Sequence, residues 1–587
     1  MKHLKKVIAL VLTLVTAFAM ATPAFAVEAQ ETPIKVTGLA DGDKAHFYQV
    51  IEWVGEAEGN VAGWKAKAPF ATYLTKEKLT EILVGTPAVA DDPNTTDVDE
   101  SKPAVAATGI TSEVAGEIAK LAEGDGTVID AVSNEATLAN AEPGMWMALI
   151  DPADANTIYN PVFVSSDYTA GGTSAGTGDS FKDSVAKKST LTLEKKAKDE
   201  TTVDTDDEHT VAIGDTVDFT VTTTIPGYGF VYDNPKFDVT DTLTGLTLVA
   251  DSIVVKTGTD TLTTIAATNY TVTPESYGGG ATYTVSFEKD YLTGLNAATP
   301  ITITYKAIVN SEAGRAVNEK DNEVTITYSH DPNNQSDYDV KKDTTQHYTF
   351  SIDAEGAGEG QSVTGKKTSE VVKVGVKADG TPITETTQTS AITETETWSG
   401  PLQGAVFGLF TDEAGTVPYK AKKADGTAGD TAMTATTGAD GRMNFAGLDA
   451  GTYYLKEISA PAGYVTNSTV HTIVIDAKTK SVKVTETVNG KEVTYDTDIL
   501  DSYTVTIDGQ ETAKYTFTNT ATASSTDIKW ETAELVEHPF ELENTKGTEL
   551  PSTGGMGTKI LYTIGGLMVA AGGVFLAAKK RMSTIEE

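Results

Sequence analysis

Three polar residues in the middle of the chain lie on the apolar faces of predicted strands. In LTLEK, FDVTDTL and NEVTITY, strand alternation places Lys195, Asp241 and Asn322 with the apolar residues. Burying these groups costs free energy unless they contact one another. Burial lowers the pKa of an amine and raises that of a carboxyl, so a neutral lysine could attack the asparagine side-chain carbonyl while the acid protonates and orients the amide. That reaction would release ammonia and leave an amide crosslink, although the pattern equally fits a buried Lys–Asp ion pair beside a hydrogen-bonded asparagine.

A fourth polar residue, Glu457, lies on an apolar strand face nearer the C-terminus. In YYLKEISAPAGY, alternation places it with Tyr453 and Leu455, and the segment APAG forms the turn after the strand. An inward glutamate is expected to have a buried partner, although a plain packing role also fits the alternation.

The strands that would position these residues belong to an all-β chain. Short alternating runs rich in Thr, Val and Tyr are separated by Gly and Asn turns, which predicts sandwich-like modules. Short helices are predicted only at 76–84 and 111–122. Strand-like runs at 145–150 and 159–164 close the first module. The predicted domains are a signal peptide (1–26), a first module (27–187), a second module (188–342), a third module (343–549) and a C-terminal tail (550–587).

Two segments of the first module and its border are predicted to lie outside the packed core. Residues 86–107 form an acidic, Pro- and Ala-rich insertion, which is typical of a loop. Residues 169–180 are rich in Gly, Ser and Thr and predict a flexible boundary before the second module.

The two ends of the chain predict export and membrane retention. Residues 1–26 combine early lysines, an apolar stretch and an AFA cleavage site, as in a secretory signal peptide. At the other end, LPSTG at 550–554 precedes a 19-residue apolar run at 560–578 and a KKR cluster. This run is just long enough to span the hydrocarbon core with the basic cluster on the cytoplasmic side. Pro551 keeps the pentapeptide extended, so an enzyme cleft could accept it.

Composition narrows the possible functions. The net charge of −38 argues against nucleic acid as a partner. The chain has no cysteine and only seven histidines, which excludes thiol catalysis and argues against a His-rich metal site. No cofactor and no metal is therefore predicted.

Several segments resemble one family of surface proteins. The LPSTG tail resembles the LPXTG cell-wall sorting signal of Gram-positive bacteria. The segments LTLEKKAKD, GDTVDFTVTTTIP, NPKFDVTDTL and NEVTITY are similar to the central Cna-type domain of sortase-assembled pilin backbone subunits. YYLKEISAPAGY matches the pilin E-box, Y-x-L-x-E-x-x-A-P-x-G-Y, and PLQGAVFGLF matches the usual second strand of a Cna B-type domain. The resemblance implies tandem immunoglobulin-like domains of Cna A and B type.

The resemblance also implies autocatalytic Lys–Asn isopeptide bonds. In the second module the bond would join Lys195 to Asn322 with Asp241 as the acid, while Lys196 faces away from the core. The Cna A-like second module and the Cna B-like third module would each carry one such bond.

In the third module Glu457 would be the acid, but its partners are less defined. We prefer Lys373, in SEVVKVG, over the lysine pair 366–367. Asn544 is preferred because it lies just before LPSTG, and Asn519, in YTFTNT, fits the strand pattern equally well.

In this family a sortase cuts between the Thr and Gly of its motif and transfers the threonine to an amine. The recognition residues here would be Leu550, Pro551, Ser552, Thr553 and Gly554. The accepting lysine would be Lys188, or alternatively Lys187, in SVAKKS at the junction of the first two modules, although this segment lacks the Tyr-Pro of the family motif. Lys236, in VYDNPKF, resembles that motif only superficially.

The implied function is structural. The chain would be the major subunit of an extracellular pilus that a pilin-type sortase polymerises head to tail and a housekeeping sortase anchors to peptidoglycan. Its partners would be other copies of itself, accessory pilins and host or bacterial surface receptors, and its only chemistry would be intramolecular crosslinking. Alternatives are a monomeric wall-anchored adhesin and a wall-anchored hydrolase, but G-x-S-x-G, H-E-x-x-H and Walker motifs are all absent from the sequence.

Overall fold

A computed structural model describes the protein from residue 32 to residue 547, with gaps. The predicted signal peptide, the insertion at 86–107, the linker at 169–180 and the tail from 550 lie outside the described residues. Among the described helices, none is long and apolar enough to cross a membrane. The described ranges are 32–54, 61, 63–83, 109–154, 156–166, 183–199, 209–229, 231–273, 282–310, 317–331, 334–353, 370–377, 385–388, 396–519, 528–535 and 539–547.

The first module has nine short strands, two α-helices and one 3-10 turn in its described part. The strands are β1 (Thr32–Thr37), β2 (Lys44–Trp53), β3 (Trp64–Ala66), β4 (Thr127–Asp130), β5 (Glu135–Ala141), β6 (Gly144–Asp151), β7 (Thr157–Tyr159), β8 (Val162–Ser166) and β9 (Asp183–Val185). The helices are the 3-10 turn Phe70–Thr72, α1 (Lys76–Leu83) and α2 (Ser112–Ala119). Sheets β5-β1-β9 and β3-β2-β6-β8, with β4 beside β2, enclose two apolar cores.

Most first-module predictions that fall on described residues are confirmed. Both helices form, and the side chain of Thr111 caps α2 by accepting the N–H of Val114 at 3.2 Å. The strand predicted at 145–150 is β6. The single strand predicted at 159–164 is wrong, because β7 ends before Pro161 and β8 begins after it. Proline has no N–H to donate to a ladder.

The second module is a sandwich of two sheets. Its strands are β10 (Lys188–Thr190), β11 (Leu193–Asp199), β12 (Thr216–Ile225), β13 (Phe237–Thr244), β14 (Leu246–Leu248), β15 (Val254–Thr257), β16 (Thr263–Thr264), β17 (Tyr270–Thr273), β18 (Thr282–Phe287), β19 (Thr299–Val309), β20 (Val317–Ser329) and β21 (Tyr338–Ile352). It also contains the 3-10 turn Ala267–Asn269 and α3 (Lys289–Thr293).

The third module is built mainly on one long sheet. Its strands are β22 (Val371–Val376), β23 (Glu385–Gln388), β24 (Glu396–Ser399), β25 (Val406–Phe410), β26 (Thr434–Thr436), β27 (Phe445–Leu448), β28 (Gly451–Ser459), β29 (Val470–Val488), β30 (Lys491–Ile507), β31 (Gln510–Asn519), β32 (Ile528–Leu535) and β33 (Phe540–Thr545). The long sheet has the order β26-β25-β28-β29-β30-β31-β32. Strand β22 pairs with β33 in parallel, and β23 pairs with β24.

Alternation of buried with less buried residues along β12, β13 and β19 defines the sandwich of the second module. One sheet has the order β11-β12-β19-β15-β16, with β14 beside β19, and the other has the order β17-β18-β13-β20-β21-β27. The inward residues of both sheets form one apolar core, as expected when each strand turns every second side chain inward. The all-β, multi-module prediction is therefore confirmed.

The hairpin of β20 and β21 contributes side chains to the cores of both the second and the third module. Ile326 and Tyr328 pack in the core of the second module, whereas Val317 and Phe350 pack in the core of the third. Strand β21 also pairs with β27 of the third module. The boundary predicted between residues 342 and 343 thus lies inside a continuous strand.

Candidate crosslinking sites

In the second module, four strands from both sheets direct polar side chains to one point in the core. Lys195 on β11 and Tyr305 on β19 come from one sheet, while Asp241 on β13 and Asn322 on β20 come from the other. Asn322 is opposite Leu243, two residues along β13 from Asp241, so both face the same side. A bond between Lys195 and Asn322 would therefore join the two sheets across the core.

The distances make the tyrosine the central group of this cluster. Lys195 Nζ lies 2.6 Å from Asp241 Oδ2 and 2.7 Å from the Tyr305 hydroxyl. That hydroxyl donates to Asp241 Oδ2 at 2.8 Å and accepts from Asn322 Nδ2 at 2.7 Å. All four residues are buried. Sequence reasoning missed Tyr305, whose signal was an inward position in PITITY, where a buried hydroxyl requires a partner.

Burial dominates the electrostatics of the second-module cluster. It lowers the pKa of Lys195, against the opposing effect of Asp241. It also raises the pKa of Asp241, against the charge of Lys195 and hydrogen bonds from Lys195, Tyr305 and Tyr283. Both shifts favour a neutral amine beside a neutral acid. The ring centroids of Phe219 and Tyr305 lie 5.5 and 5.3 Å from Lys195 Nζ, so the amine is enclosed by aromatic rings.

In the third module, Lys373 on β22, Glu457 on β28 and Asn544 on β33 meet in the same way. The parallel pairing of β22 with β33 places Gly375 opposite Asn544 and brings the asparagine beside Lys373. Lys373 Nζ donates to Asn544 Oδ1 and lies 3.6 Å from Glu457 Oε1. Asn544 Nδ2 donates to Glu457 Oε1 at 2.8 Å, and the N–H of Asn467 donates to Oε2 at 2.6 Å.

Burial again favours a nucleophilic amine at this site. It lowers the pKa of Lys373 to about 8, against the raising effect of Glu457. Lys373, Glu457 and Asn544 are all buried, and the Phe407 ring centroid lies 5.5 Å from the lysine Nζ. The lysine pair 366–367 lies outside the described residues. Asn519 ends β31, and its side chain is outside the described part of the chain.

The candidate accepting lysines lie at the surface between the first two modules. Lys187 and Lys188 are both exposed, and Lys188 begins β10 opposite Tyr159 of β7. Lys236 differs, because its Nζ pairs with Asp238 at 3.1 Å and lies 5.1 Å from the Tyr338 ring centroid. Lys196 is turned away from the second-module cluster and pairs with a glutamate at the surface. The five recognition residues from Leu550 to Gly554 lie outside the described residues.

No group of three or more His, Cys, Asp or Glu side chains in the described part of the chain could hold a metal ion. The crosslinking reaction considered for the two lysine clusters needs no metal ion, since its reacting groups are a lysine, an acid and an amide.

Two family models match parts of the chain. The SpaA prealbumin-like fold domain matches residues 388–491, a range that contains Glu457. The LPXTG cell wall anchor motif matches residues 543–582, starting one residue before Asn544.

Individual proteins also resemble the chain. The trypsin-resistant surface T6 protein of Streptococcus pyogenes serotype M6 is 24% identical over an alignment of 474 residues, and the match covers 74% of this chain and 79% of that protein. The solved T6 backbone pilin of the same serotype is 17% identical, with a TM-score of 0.47, and the match covers 89% of this chain and 100% of that one. The major pilin SpaD from Corynebacterium diphtheriae is 15% identical, with a TM-score of 0.41, and the match covers 90% of this chain and 100% of that one.

Proposed function

We infer that this chain is the major structural subunit of a cell-wall-anchored pilus, of the kind whose subunits a sortase joins covalently. The observation that carries the inference is the match of residues 543–582 to the LPXTG cell wall anchor motif, in a chain that resembles the streptococcal T6 surface protein over three quarters of its length. The second and third modules share a sheet through the pairing of β21 with β27, so tension can pass from one module to the next along a strand ladder.

We propose that a pilin-type sortase cuts between Thr553 and Gly554 and transfers Thr553 to Lys188 of the next subunit. A housekeeping sortase would attach the last subunit to peptidoglycan, with accessory pilins and surface receptors as further partners. The exposure of Lys188 at the junction supports its role, since an acceptor amine must reach the enzyme. Lys187 is also exposed and is the alternative.

Immunoblots of cell-wall extracts test this assignment. Lys188→Ala should reduce the high-mass ladder to a single band, while Lys236→Ala should leave it unchanged because Lys236 is held in an ion pair. Thr553→Ala should abolish both polymerisation and anchoring. An unchanged ladder in Lys188→Ala would move the assignment to Lys187, and a single band from the natural chain would favour a monomeric wall-anchored adhesin.

Inside each subunit, we propose that Lys195 forms an isopeptide bond with Asn322 and Lys373 forms one with Asn544. In each reaction the neutral amine attacks the asparagine Cγ and the side-chain nitrogen leaves as ammonia. The neighbouring acid accepts the proton of the amine and supplies one to the leaving nitrogen. Support comes from the burial and contacts of the groups, with an acid within 2.6 Å of the amine in one site and 3.6 Å in the other.

Intact mass of the recombinant mature chain tests the two bonds. Each bond should lower the mass by one ammonia, about 17 Da, so two bonds give twice that deficit. Asp241→Ala and Glu457→Ala should each restore one ammonia, and the second change should leave the third module open to trypsin. A mass equal to that of the uncrosslinked chain would contradict the proposed bonds at both sites.

A further inference from the structure

The two acids reach their asparagines by different routes. Glu457 Oε1 accepts directly from Asn544 Nδ2 at 2.8 Å. Asp241 has a side chain one methylene shorter, and no hydrogen bond joins it to Asn322 within the described structure. Instead, the Tyr305 hydroxyl bridges the two, at 2.8 Å from Asp241 Oδ2 and 2.7 Å from Asn322 Nδ2.

We propose that Tyr305 is a catalytic residue of the second-module crosslink, carrying a proton from Asp241 to the departing nitrogen of Asn322. This inference rests on the proposed Lys195–Asn322 bond and specifies how the reaction is completed. The tyrosine touches both nitrogen atoms that change bonding, because Lys195 Nζ lies 2.7 Å from its hydroxyl.

The proton transfers balance without any further reactant. The Nζ–Cγ bond forms and the Cγ–Nδ2 bond breaks. The attacking amine passes one proton to Asp241 Oδ2, Asp241 passes one to the Tyr305 oxygen, and Tyr305 passes its own to Nδ2. Asp241 and Tyr305 therefore finish in the protonation states in which they began, and the nitrogen leaves as ammonia.

The hydrogen-bond directions agree with this order of events. The nitrogen of a planar amide donates hydrogen bonds, as Asn322 Nδ2 does to Tyr305. After attack at Cγ the nitrogen becomes pyramidal and basic, so it can accept a proton from the same hydroxyl. To protonate that nitrogen, the hydroxyl hydrogen rotates from Asp241 toward Asn322.

Packing holds the hydroxyl at the meeting point of the three groups. The Tyr305 ring stacks on Phe219 with centroids 5.1 Å apart and meets Tyr283 edge-on at 5.3 Å. Tyr305 is 2% exposed, so bulk water does not reach the site to carry the proton instead. A positioned acid–base group typically contributes about 100-fold or more to rate.

Tyr305→Phe tests the relay with little change of shape. After a short pulse of synthesis, intact and peptide masses follow crosslinking with time. We expect the Lys195–Asn322 peptide to form about 100-fold or more slowly, so freshly made chains are about 17 Da heavier than the natural protein. The Lys373–Asn544 peptide should form at its normal rate in the same molecules.

Tyr228→Phe is the matched control. Tyr228 is buried in the same core, and its hydroxyl donates to the carbonyl oxygens of Lys236 and Ser329 at 3.2 and 3.1 Å. Normal crosslinking in Tyr228→Phe with slow crosslinking in Tyr305→Phe supports the relay. Equal slowing in both variants, or a normal rate in Tyr305→Phe, overturns it. Absence of the crosslinked Lys195–Asn322 peptide from the natural chain would overturn the proposed bond itself. Failure of the bond can therefore be distinguished from failure of the tyrosine relay.

Discussion

Lys341, Asn156 and Asp154 have the residue types and the hydrogen-bond order of the third-module site. Lys341 Nζ lies 2.9 Å from Asn156 Oδ1, and Asn156 Nδ2 lies 2.8 Å from Asp154 Oδ1. Asp154 is exposed, however, whereas Asp241 and Glu457 are both buried. Burial of the acid therefore distinguishes the two candidate sites from the cluster of Lys341, Asn156 and Asp154, which has the same residue types. We expect two crosslinks per chain rather than three.

The pKa of Lys373 gives a residue-scale prediction about pH. In Asn544→Ala no amide can form, and Lys373 stays a buried amine beside Glu457. Its folded pKa of about 8 is below the ordinary value of 10.5, so between these values the unfolded chain binds more protons than the folded one. The free energy of unfolding of this variant should therefore rise with pH from about 8 to about 10.5 and show no contribution from this group below 8.

Urea unfolding of Asn544→Ala at a series of pH values measures this dependence. The double variant Asn544→Ala with Lys373→Met should lack the rise, since it has no amine to titrate. A flat profile in the single variant would contradict the burial of the amine.

At the scale of elements, the long hairpin of β29 and β30 connects the third module to the second. Lys342 on β21 lies 2.5 Å from Glu323 on β20 and 2.6 Å from Glu486 on β29. Nearby, the Thr344 hydroxyl donates to that of Thr497 on β30 at 2.9 Å. The hairpin therefore packs along the strand that both modules share.

Lys342→Ala should loosen this contact. It leaves two carboxylates close together without their cation, and we expect a loss of about 2 kcal/mol in the free energy of unfolding, measured in urea. Lys483→Ala is the control on the same hairpin, because Lys483 is exposed and its Nζ is 3.8 Å from Asp496. Its effect should be within about 0.5 kcal/mol. Equal losses in the two variants would show that the Lys342 contact does not hold the hairpin.

Alternation within single strands was enough to predict much of this architecture. It predicted that Lys195, Asp241 and Glu457 point inward, and each is buried. The prediction works because the direction of a strand side chain depends only on its own backbone. Asn544 and Asn519 satisfied the same pattern equally. What places Asn544 beside the lysine is the pairing of β33 with β22, and the two residues that meet are 171 positions apart.

Neither the contacts of Tyr305 nor the hairpin shared by two modules could be predicted from the local sequence, and the reason is the same for both. An inward tyrosine needs a partner, but only the packing of two sheets shows that the partner is Asp241. The predicted boundary at residue 342 fell inside β21 because nothing in that strand's own sequence shows which core it enters. Contacts between strands that are far apart in the sequence determine both the partner of Tyr305 and the core that β21 enters.

At the scale of the whole molecule, the two proposed bonds define a path for tension along a pilus. Tension would enter at the accepting lysine and leave at the sorting signal, crossing each module through its isopeptide bond. In order, the path passes through Lys188, Lys195, Asn322, Lys373, Asn544 and Thr553. The first module lies off this path, so it would carry no tension. The longest segment of the path that no bond bypasses runs from Asn322 to Lys373. It contains most of the β20–β21 hairpin, which β13 and β27 flank on either side.

Single-molecule stretching between residues 188 and 553 should therefore extend only the stretches of chain outside the two closed loops. The chain contains no cysteine, so Lys188→Cys and Thr553→Cys supply two unique attachment points. Together with the short stretches 188–195 and 544–553, the segment between the bonds gives about 67 residues outside the two closed loops, which can extend by at most about 230 Å at about 3.4 Å per residue. Adding Asp241→Ala removes the first bond and should release up to about 430 Å more, because about 130 further residues then join the path. Adding Lys236→Ala instead should change nothing, since that residue lies inside the loop that the bond closes. Extension steps of several hundred Å in the chain with only the two cysteines would contradict the proposed path.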